Sequence, residues 1–294
     1  MSTAAAPRSL RPRRASSSFW AAAWYRYRRN GLALVSGFIA VVILLVAVFA
    51  PVIAPYGYAV QDLGASLAGP SIHHLLGTDY LGRDLLSRAI YGARTSMTVA
   101  IGAPLIAALV GLPIGIIAGW FGGIADFIAL RAFEVFTMVP QILLALLLIS
   151  LFGGGLLKLV LFLAVTLWVG FGRLARAQYI ALRDRDFVQA ARAMGVPTWR
   201  IVIVHILPNA LGPIIVFFVQ QIPATIFAAA GFSFLGLGVQ DPLADWWKMI
   251  NDGEQYLQVD ATVALLPIFC IALATLSLSF AGDGLRDALD PTSR

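Results

Sequence analysis

Few side chains in this sequence have a type and spacing suited to covalent chemistry. His73 and His74 are adjacent, Cys270 is the single cysteine inside a long apolar run, and neither Lys158 nor Lys248 follows a glycine. The phosphate-binding pattern G-x-x-x-x-G-K-[ST] is therefore missing, as are H-E-x-x-H, G-x-S-x-G and any paired metal-ligand spacing. No catalytic residue, no metal site and no cofactor bound by this chain are expected. Adjacent loop histidines are usually solvated, and an isolated apolar-run cysteine is a small filler. What remains suits non-covalent work. Gln220 and Gln221 interrupt an apolar run at its middle, and Arg131 and Glu134 stand three residues apart. Residues 189–208 read QAARAMGVPTWRIVIVHILP: a short Ala-rich helix, a Gly-Val-Pro break, a second amphipathic piece and a Leu-Pro stop between two apolar runs.

A membrane-embedded scaffold must position these groups. Of the 294 residues, 60% are hydrophobic and 12% charged, against about half and a quarter in a soluble domain. Six windows are long and apolar enough for helices crossing about 30 Å of hydrocarbon: 31–54, 96–118, 133–152, 154–172, 211–232 and 261–281. The alternation of a transmembrane strand is missing. Backbone satisfaction in lipid then leaves an all-α integral membrane protein.

The net charge of +6 comes from 21 basic and 15 acidic residues. Residues 1–30 hold seven Arg and no acid, and 173–205 hold six Arg against Asp184 and Asp186. Residues 240–260 reverse the balance, with Asp241, Asp245, Asp252, Glu254 and Asp260 against Lys248. Arg clusters beside span ends indicate orientation in a lipid bilayer; no nucleic-acid partner is expected. Six transmembrane helices with both termini cytoplasmic put the basic segments inside and the acidic one outside.

This divides the chain into a cytoplasmic tail (1–30), a first span (31–54), an extracytoplasmic connection (55–95) and a five-helix core (96–290) with a cytoplasmic loop at 176–209. Residues 1–18 read as disordered, and 19–30, FWAAAWYRYRRN, as a helix at the inner interface. The apolar run of 31–54 is too long, and starts too late, for a cleaved signal segment.

Within the connection, 77–96 reads GTDYLGRDLLSRAIYGARTS. Gly77 and Thr78–Asp79 suggest a turn and helix N-cap, with Asp84 and Arg88 sharing a face of an amphipathic helix lying against the membrane. Pro113 and the glycines of span two permit kinks and close helix approach. The link WFGGIADF turns the chain. Arg131 and Glu134 can pair as a structural bridge or take part in gating, and Lys158 snorkels at the outer end of span four. Gln220 and Gln221 require protein or a water-filled path around them: a translocation path and an interhelical hydrogen bond both satisfy this. In the loop, Gly195 is expected to supply a φ > 0 C-cap and Pro197 to start the next turn.

The loop resembles the cytoplasmic coupling loop of the membrane subunits of binding-protein-dependent ABC importers. Ala190, Ala191, Gly195, Leu207 and Pro208 fall on that pattern; Gln189 stands where the family has Glu, and His205 where it has Ile. The His-Ile-Leu-Pro-Asn variant, the 77–96 segment and GFSFLGLGVQDPLADWWKMINDG at 231–253 resemble the dipeptide/oligopeptide branch, C-type subunit. The last segment reads as a docking surface or an interfacial anchor. The resemblance covers about residues 25–290. It implies a type I ABC importer permease fold in the bacterial plasma membrane, with ATP hydrolysis and its Mg supplied by two cytoplasmic ABC ATPase domains. It further implies a second permease subunit as heterodimer partner and an extracytoplasmic solute-binding protein. Gln189 to Gly195 would dock on the ATPase. Peptides are the implied solute, with nickel or another small solute as alternatives inside the family. A secondary transporter or channel is the competing class, but there is no evident internal repeat and the charges cluster at span ends.

Overall fold

The computed structural model describes residues 19–289. The basic and Ala-rich segment 1–18 and the C-terminal 290–294, to which the sequence assigns disorder and a cytoplasmic end, lie outside the described residues. Among the described residues every regular element is a helix, with one isolated bridge between Thr78 and Asp84.

Helix α1, Phe19–Arg29, is the expected amphipathic piece. Asn30 then caps α2, Gly31–Ile53, by accepting from the Ala33 N–H at 3.1 Å. The Tyr27 hydroxyl folds α1 back, donating to the Ala33 carbonyl at 2.9 Å. Pro55 ends α2 by holding Ala54 extended. Helix α3, Leu85–Phe121, begins eleven residues before the expected span two (96 − 85) and runs straight into it. Residues 85–96 therefore do not lie along the membrane. The α3 N-cap is Asp84, whose carboxylate accepts the Ser87 N–H at 2.7 Å. Thr78 and Asp79, expected at that place, lie in the preceding turn.

At the other end of α3, Gly122 (φ +66) and Gly123 (φ +55) make the anticipated reversal. The third expected span, 133–152, is two helices, α4, Gly123–Met138, and α5, Gln141–Phe152. Pro140 explains the break: it has no N–H to give, and it forces Val139 to φ −82, ψ 121. Helix α6, Leu156–Leu182, carries the expected fourth span. A short α7, Asp186–Ala193, precedes α8, Thr198–Phe234. Helices α9, Trp246–Gly253, and α10, Thr262–Leu289, follow. Five of these, α2, α3, α6, α8 and α10, are individually long and apolar enough to cross a bilayer.

The pairing of α3 with α6 is the centre of the bundle. Gly111, Gly115 and Gly119 occur one helical turn apart, and a Cβ on them would run into the carbonyls of Trp168, Gly172 and Arg176. The two backbones touch over two turns, which only glycine permits, and van der Waals packing replaces the hydrophobic drive that lipid cannot supply. Phe133 of α4 closes over Gly172, so α4 is seated on the same pair.

Candidate functional site

The loop between α6 and α8 folds as a small unit with its own core. Helix α7 buries Val188 (0% exposed) and Ala191 (2%) against Tyr179, Ile201 and Ile206. Its end is a Schellman motif. The Val196 N–H donates to the Ala191 carbonyl at 3.1 Å and the Gly195 N–H to the Arg192 carbonyl at 3.0 Å. Gly195 takes φ +73, and Pro197 opens the next turn at φ −64, both as expected. Further ties hold the loop to the bundle: the Tyr179 hydroxyl donates to the Val202 carbonyl (3.1 Å). The Arg183 guanidinium donates to the Gly119 carbonyl (3.3 Å), and the Arg192 guanidinium lies over the Trp120 ring (4.7 Å).

The loop residues separate into two faces. Gln189, Ala190, Ala193, Met194 (75% exposed) and Gly195 look outward, with Phe187 beside them. Gln189 Nε2 donates to the Asp184 carbonyl (3.1 Å), holding the lead-in turn against α7. Ala191, singled out as an outward docking residue, instead belongs to the loop's core. The exposed methyls are those of Ala190 and Ala193. Phe187 and Met194 were not picked out from the pattern, because their exposure depends on which side of α7 meets Tyr179.

His205, Leu207 and Pro208 occupy a wide turn. Residues Ile201–Ile206 are π-helical, and the Leu207 N–H reaches back to the Val202 carbonyl. Pro208 has no N–H for the Val204 carbonyl and its ring crowds that oxygen, so the helix widens around it. Leu207–Pro208 is therefore not a stop. Helix α8 passes through it, which corrects the expected span start at 211. The His205 carbonyl accepts from Asn209 Nδ2 (2.6 Å), and the imidazole is half-buried.

Gln220 and Gln221 are half-buried on α8, and neither amide makes a side-chain hydrogen bond among the described residues. Gln220 lies beside Gly282 of α10, its Cγ 4.0 Å from where a Cβ on that glycine would stand.

At the opposite end, 77–96 and 231–253 fold together. Asp79 faces two buried guanidiniums, Arg83 Nε at 2.6 Å and Arg88 Nε at 3.4 Å, and also accepts the N–H groups of Leu81 and Arg83. Arg88 donates to the Tyr58 carbonyl, and Asp84 meets His74 Nδ1 at 3.0 Å, so Asp84 and Arg88, placed on one helix face by their spacing, do not pair. Burial works against the charge on Arg83, yet Asp79, with Tyr80 and Asp241, holds its pKa above the ordinary arginine value. Asp245 caps α9, and its carboxylate accepts from the Ser96 hydroxyl at 2.8 Å. Burial pushes that carboxyl above the usual range, although Ser96 and the Lys248 and Trp247 N–H groups oppose it. The Trp246 and Trp247 indoles donate to the carbonyls of Ala89 and Ile226, both at 2.9 Å. This segment is an anchor onto α3 and α8. Sequence spacing could not give Asp79 two arginine partners, because the turn at Gly82 (φ +69) folds 79 back onto 83.

Two charged contacts join α4 and α6. Arg176 makes a bidentate pair with Asp126, and Arg173 Nη2 donates to Thr137 Oγ1 at 3.1 Å. Neither was expected. Arg131 and Glu134 do pair, at 2.5 Å, on an exposed face. Lys158 reaches the Phe152 carbonyl. Among the described residues no group of three His, Cys, Asp or Glu gathers at a metal-binding distance.

Comparison with known proteins agrees with this geometry. Residues 111–294 match the family described as "Binding-protein-dependent transport system inner membrane component", and residues 18–70 match "N-terminal TM domain of oligopeptide transport permease C". The dipeptide transport system permease protein DppC of Alkalihalophilus pseudofirmus is 40% identical over 92% of this chain and 90% of its own length. The oligopeptide transport system permease protein OppC of Bacillus subtilis is 37% identical over 95% and 92%. The glutathione transport system permease protein GsiD of Pectobacterium atrosepticum is 36% identical over 92% and 91%. Among solved structures, an inward-facing MetNI methionine ABC transporter chain superposes with a TM-score of 0.55 at 20% identity, covering 69% of this chain and 96% of that one.

Proposed function

The chain belongs to the family of binding-protein-dependent transport system inner membrane components, and on that premise we propose which solute it passes, with which partners and through which residues. It is a multi-pass protein of the bacterial inner membrane and a permease subunit of an ABC importer. Our reading is that the solute is a dipeptide or short oligopeptide, the chemistry named for DppC and OppC relatives at 37–40% identity. The chain pairs with a second permease of similar fold, takes solute from an extracytoplasmic binding protein and leaves ATP hydrolysis to two cytoplasmic ATPase domains.

One observation carries the coupling role. A short helix buries one face in its own loop core, ends on a Schellman glycine and presents Gln189, Ala190, Ala193 and Met194 outward. Such a helix can transmit force without unfolding, because its loop is tied to the bundle or to itself at three separate points, through Tyr179, Arg183 and Arg192. ATP-driven closure of the ATPase pair then shifts α7, and α7 shifts α6 and α8, to which it is joined by short turns. Among the described residues the Gln220 and Gln221 amides make no side-chain hydrogen bond, which supports a place for one of them beside the water-filled route.

The test uses the full complex in proteoliposomes. Ala190→Glu and Gly195→Val should leave complex assembly intact, while transport and binding-protein-stimulated ATP hydrolysis fall together. Normal coupling in both variants would remove the loop from the mechanism. Orientation has its own check: Arg185→Cys should need access from the cytoplasmic face, and Asn251→Cys should react from outside. Labelling of Arg185→Cys from outside intact cells would overturn the topology.

A further inference from the structure

Helices α1 and α2 fall in the segment matched at residues 18–70, and α8 and α10 in the one matched at 111–294, so two matched segments meet along a seam. The seam is tight at one point, where a Cβ on Gly284 of α10 would run into Ala33 of α2, with the Tyr27 ring beside it. Next to that point the helices leave a groove of about 590 Å³ on the chain's outer surface. Leu34, Gly37, Phe38 and Val41 form its α2 wall, with Phe38 71% exposed, and Ala281 and Leu285 contribute from α10. From Leu34 to Val41 the groove follows α2 for about 10 Å at 1.5 Å per residue. That stretch lies within a helix long and apolar enough to cross the bilayer.

Two features decide what fits. The first is the lining. Apart from the Trp24 indole at its mouth and Tyr27, whose hydroxyl is taken up by the Ala33 carbonyl, the groove is walled by hydrocarbon. A polar solute would lose its hydrogen bonds there. The volume is well above the ~150 Å³ at which an apolar cavity takes up a benzene-sized hydrocarbon.

The second feature is charge at one end only. Trp24 lines the groove, stacks on Tyr27 with ring centroids 6.1 Å apart, and carries the Arg28 guanidinium 4.7 Å over its ring. A guanidinium held over a ring still presents N–H donors to phosphate oxygens. Residues 1–30 contain no acid, and Arg28 makes no ion pair among the described residues. The groove thus has a cationic mouth and a hydrocarbon interior running along a membrane span.

We infer that this groove seats one acyl chain of an anionic phospholipid, the chain lying along α2 and the phosphate on Arg28. The chain's own N-terminal segment does not match the lining: residues 1–18 hold four Arg, and Met1 and Leu10 are their only large apolar side chains. A lipid in this place fills the seam and ties the α1–α2 hairpin to α8 and α10. The inference is independent of the solute and of the coupling loop.

The experiment uses the full complex, purified in detergent and titrated with phosphatidylglycerol or phosphatidylcholine carrying a photoreactive diazirine in one acyl chain. Adducts are mapped by peptide mass spectrometry. They should fall on residues 34–41 and 281–285, with phosphatidylglycerol half-saturating at about fivefold lower concentration, the effect of one surface arginine on an anionic lipid. Arg28→Gln should remove that preference. Arg29→Gln should keep it, since Arg29 lies over Tyr25, which does not line the groove. Ala281→Phe, which fills the groove, should abolish these adducts for both lipids while the complex still assembles. Equal half-saturation by the two lipids, or a preference that survives Arg28→Gln, would overturn the headgroup assignment. Adducts unchanged in Ala281→Phe would reduce the groove to ordinary boundary lipid. A groove without adducts in the parent complex would also overturn the inference. It would mark the groove as covered by the partner permease or, if deleting residues 1–18 restores labelling, by the chain's own N-terminal segment.

Discussion

The outer cap, residues 77–96 with 241–253, and the inner loop, residues 183–209, both hold a short helix against the ends of longer ones, yet by opposite means. The outer cap buries its charges: Asp79 meets Arg83 and Arg88, and Asp245 disappears beneath Ser96 and two tryptophans. The inner loop keeps its charges at the rim and buries methyls and rings, with Val188, Ala191 and Ile206 around Tyr179. Buried charge pairs fix geometry strictly because any slip leaves an uncompensated ion. Apolar packing tolerates small displacements more readily. The cap is built to stay put, and the loop is built to move as a piece.

The strongest way to break this contrast is Asp79→Ala. It leaves two buried guanidiniums facing each other and two turn N–H groups without their acceptor. The expected loss is about 3–5 kcal/mol, read as a lower unfolding temperature of the detergent-solubilised protein. An unchanged transition would show that the cap's charges are not holding it.

Both regions were located from sequence, but their insides were not. Gly195 and Pro197 were legible because a positive-φ C-cap and a fixed-φ start are local demands. The all-helical scaffold was legible because length and hydropathy decide it. The span limits were not, since α3 and α8 continue well beyond their apolar cores as helices packed on protein. Asp79's partners, and the inward face of Ala191, depend on folds of the chain that spacing does not encode. Pro140 is visible in the sequence, and its break in the third span follows from the restriction a proline places on the residue before it.

A second prediction separates the two faces of α7. Ala191→Glu forces a carboxylate into the packed side and should cost about 2–3 kcal/mol. Ala190→Glu, one residue away and exposed, should stay within about 0.5 kcal/mol while uncoupling transport. Thermal unfolding and transport measured on the same preparations give the answer. Equal stability of the two variants would mean that α7 is not seated as described.

The third compares two glycines in the same motif. Gly195 (φ +73) ends α7, and Gly236 (φ +74) ends α8 through Leu237 N–H to the Phe232 carbonyl at 2.8 Å. An alanine at either position should cost about 1 kcal/mol, the left-handed penalty. Stability should therefore fall equally, but coupling should suffer at Gly195→Ala and not at Gly236→Ala. Loss of coupling at both would shift the moving element from the loop to the whole of α8.

The smallest effect concerns pH. Burial raises the Asp245 carboxyl above its unfolded value, against the hydrogen bonds from Ser96, Lys248 and Trp247. The folded state therefore holds that proton more tightly than the unfolded chain. At pH above the folded pKa the buried ion reduces stability. As pH falls through the folded value the penalty is relieved, and below the unfolded value it is gone. Asp245→Asn keeps an oxygen that can accept from Ser96 or the α9 N–H groups but carries no charge at any pH. Relative to the variant, the parent should gain stability on acidification from neutrality toward the ordinary carboxylate range, by about 1 kcal/mol for each pH unit the folded value is raised. Taking the difference between parent and variant removes the other carboxylates, which titrate in both. Parallel unfolding temperatures across that range would mean the Asp245 charge is stabilised by its three donors as fully as by water, and the cap would then owe less to strictness of geometry than the comparison with the inner loop requires.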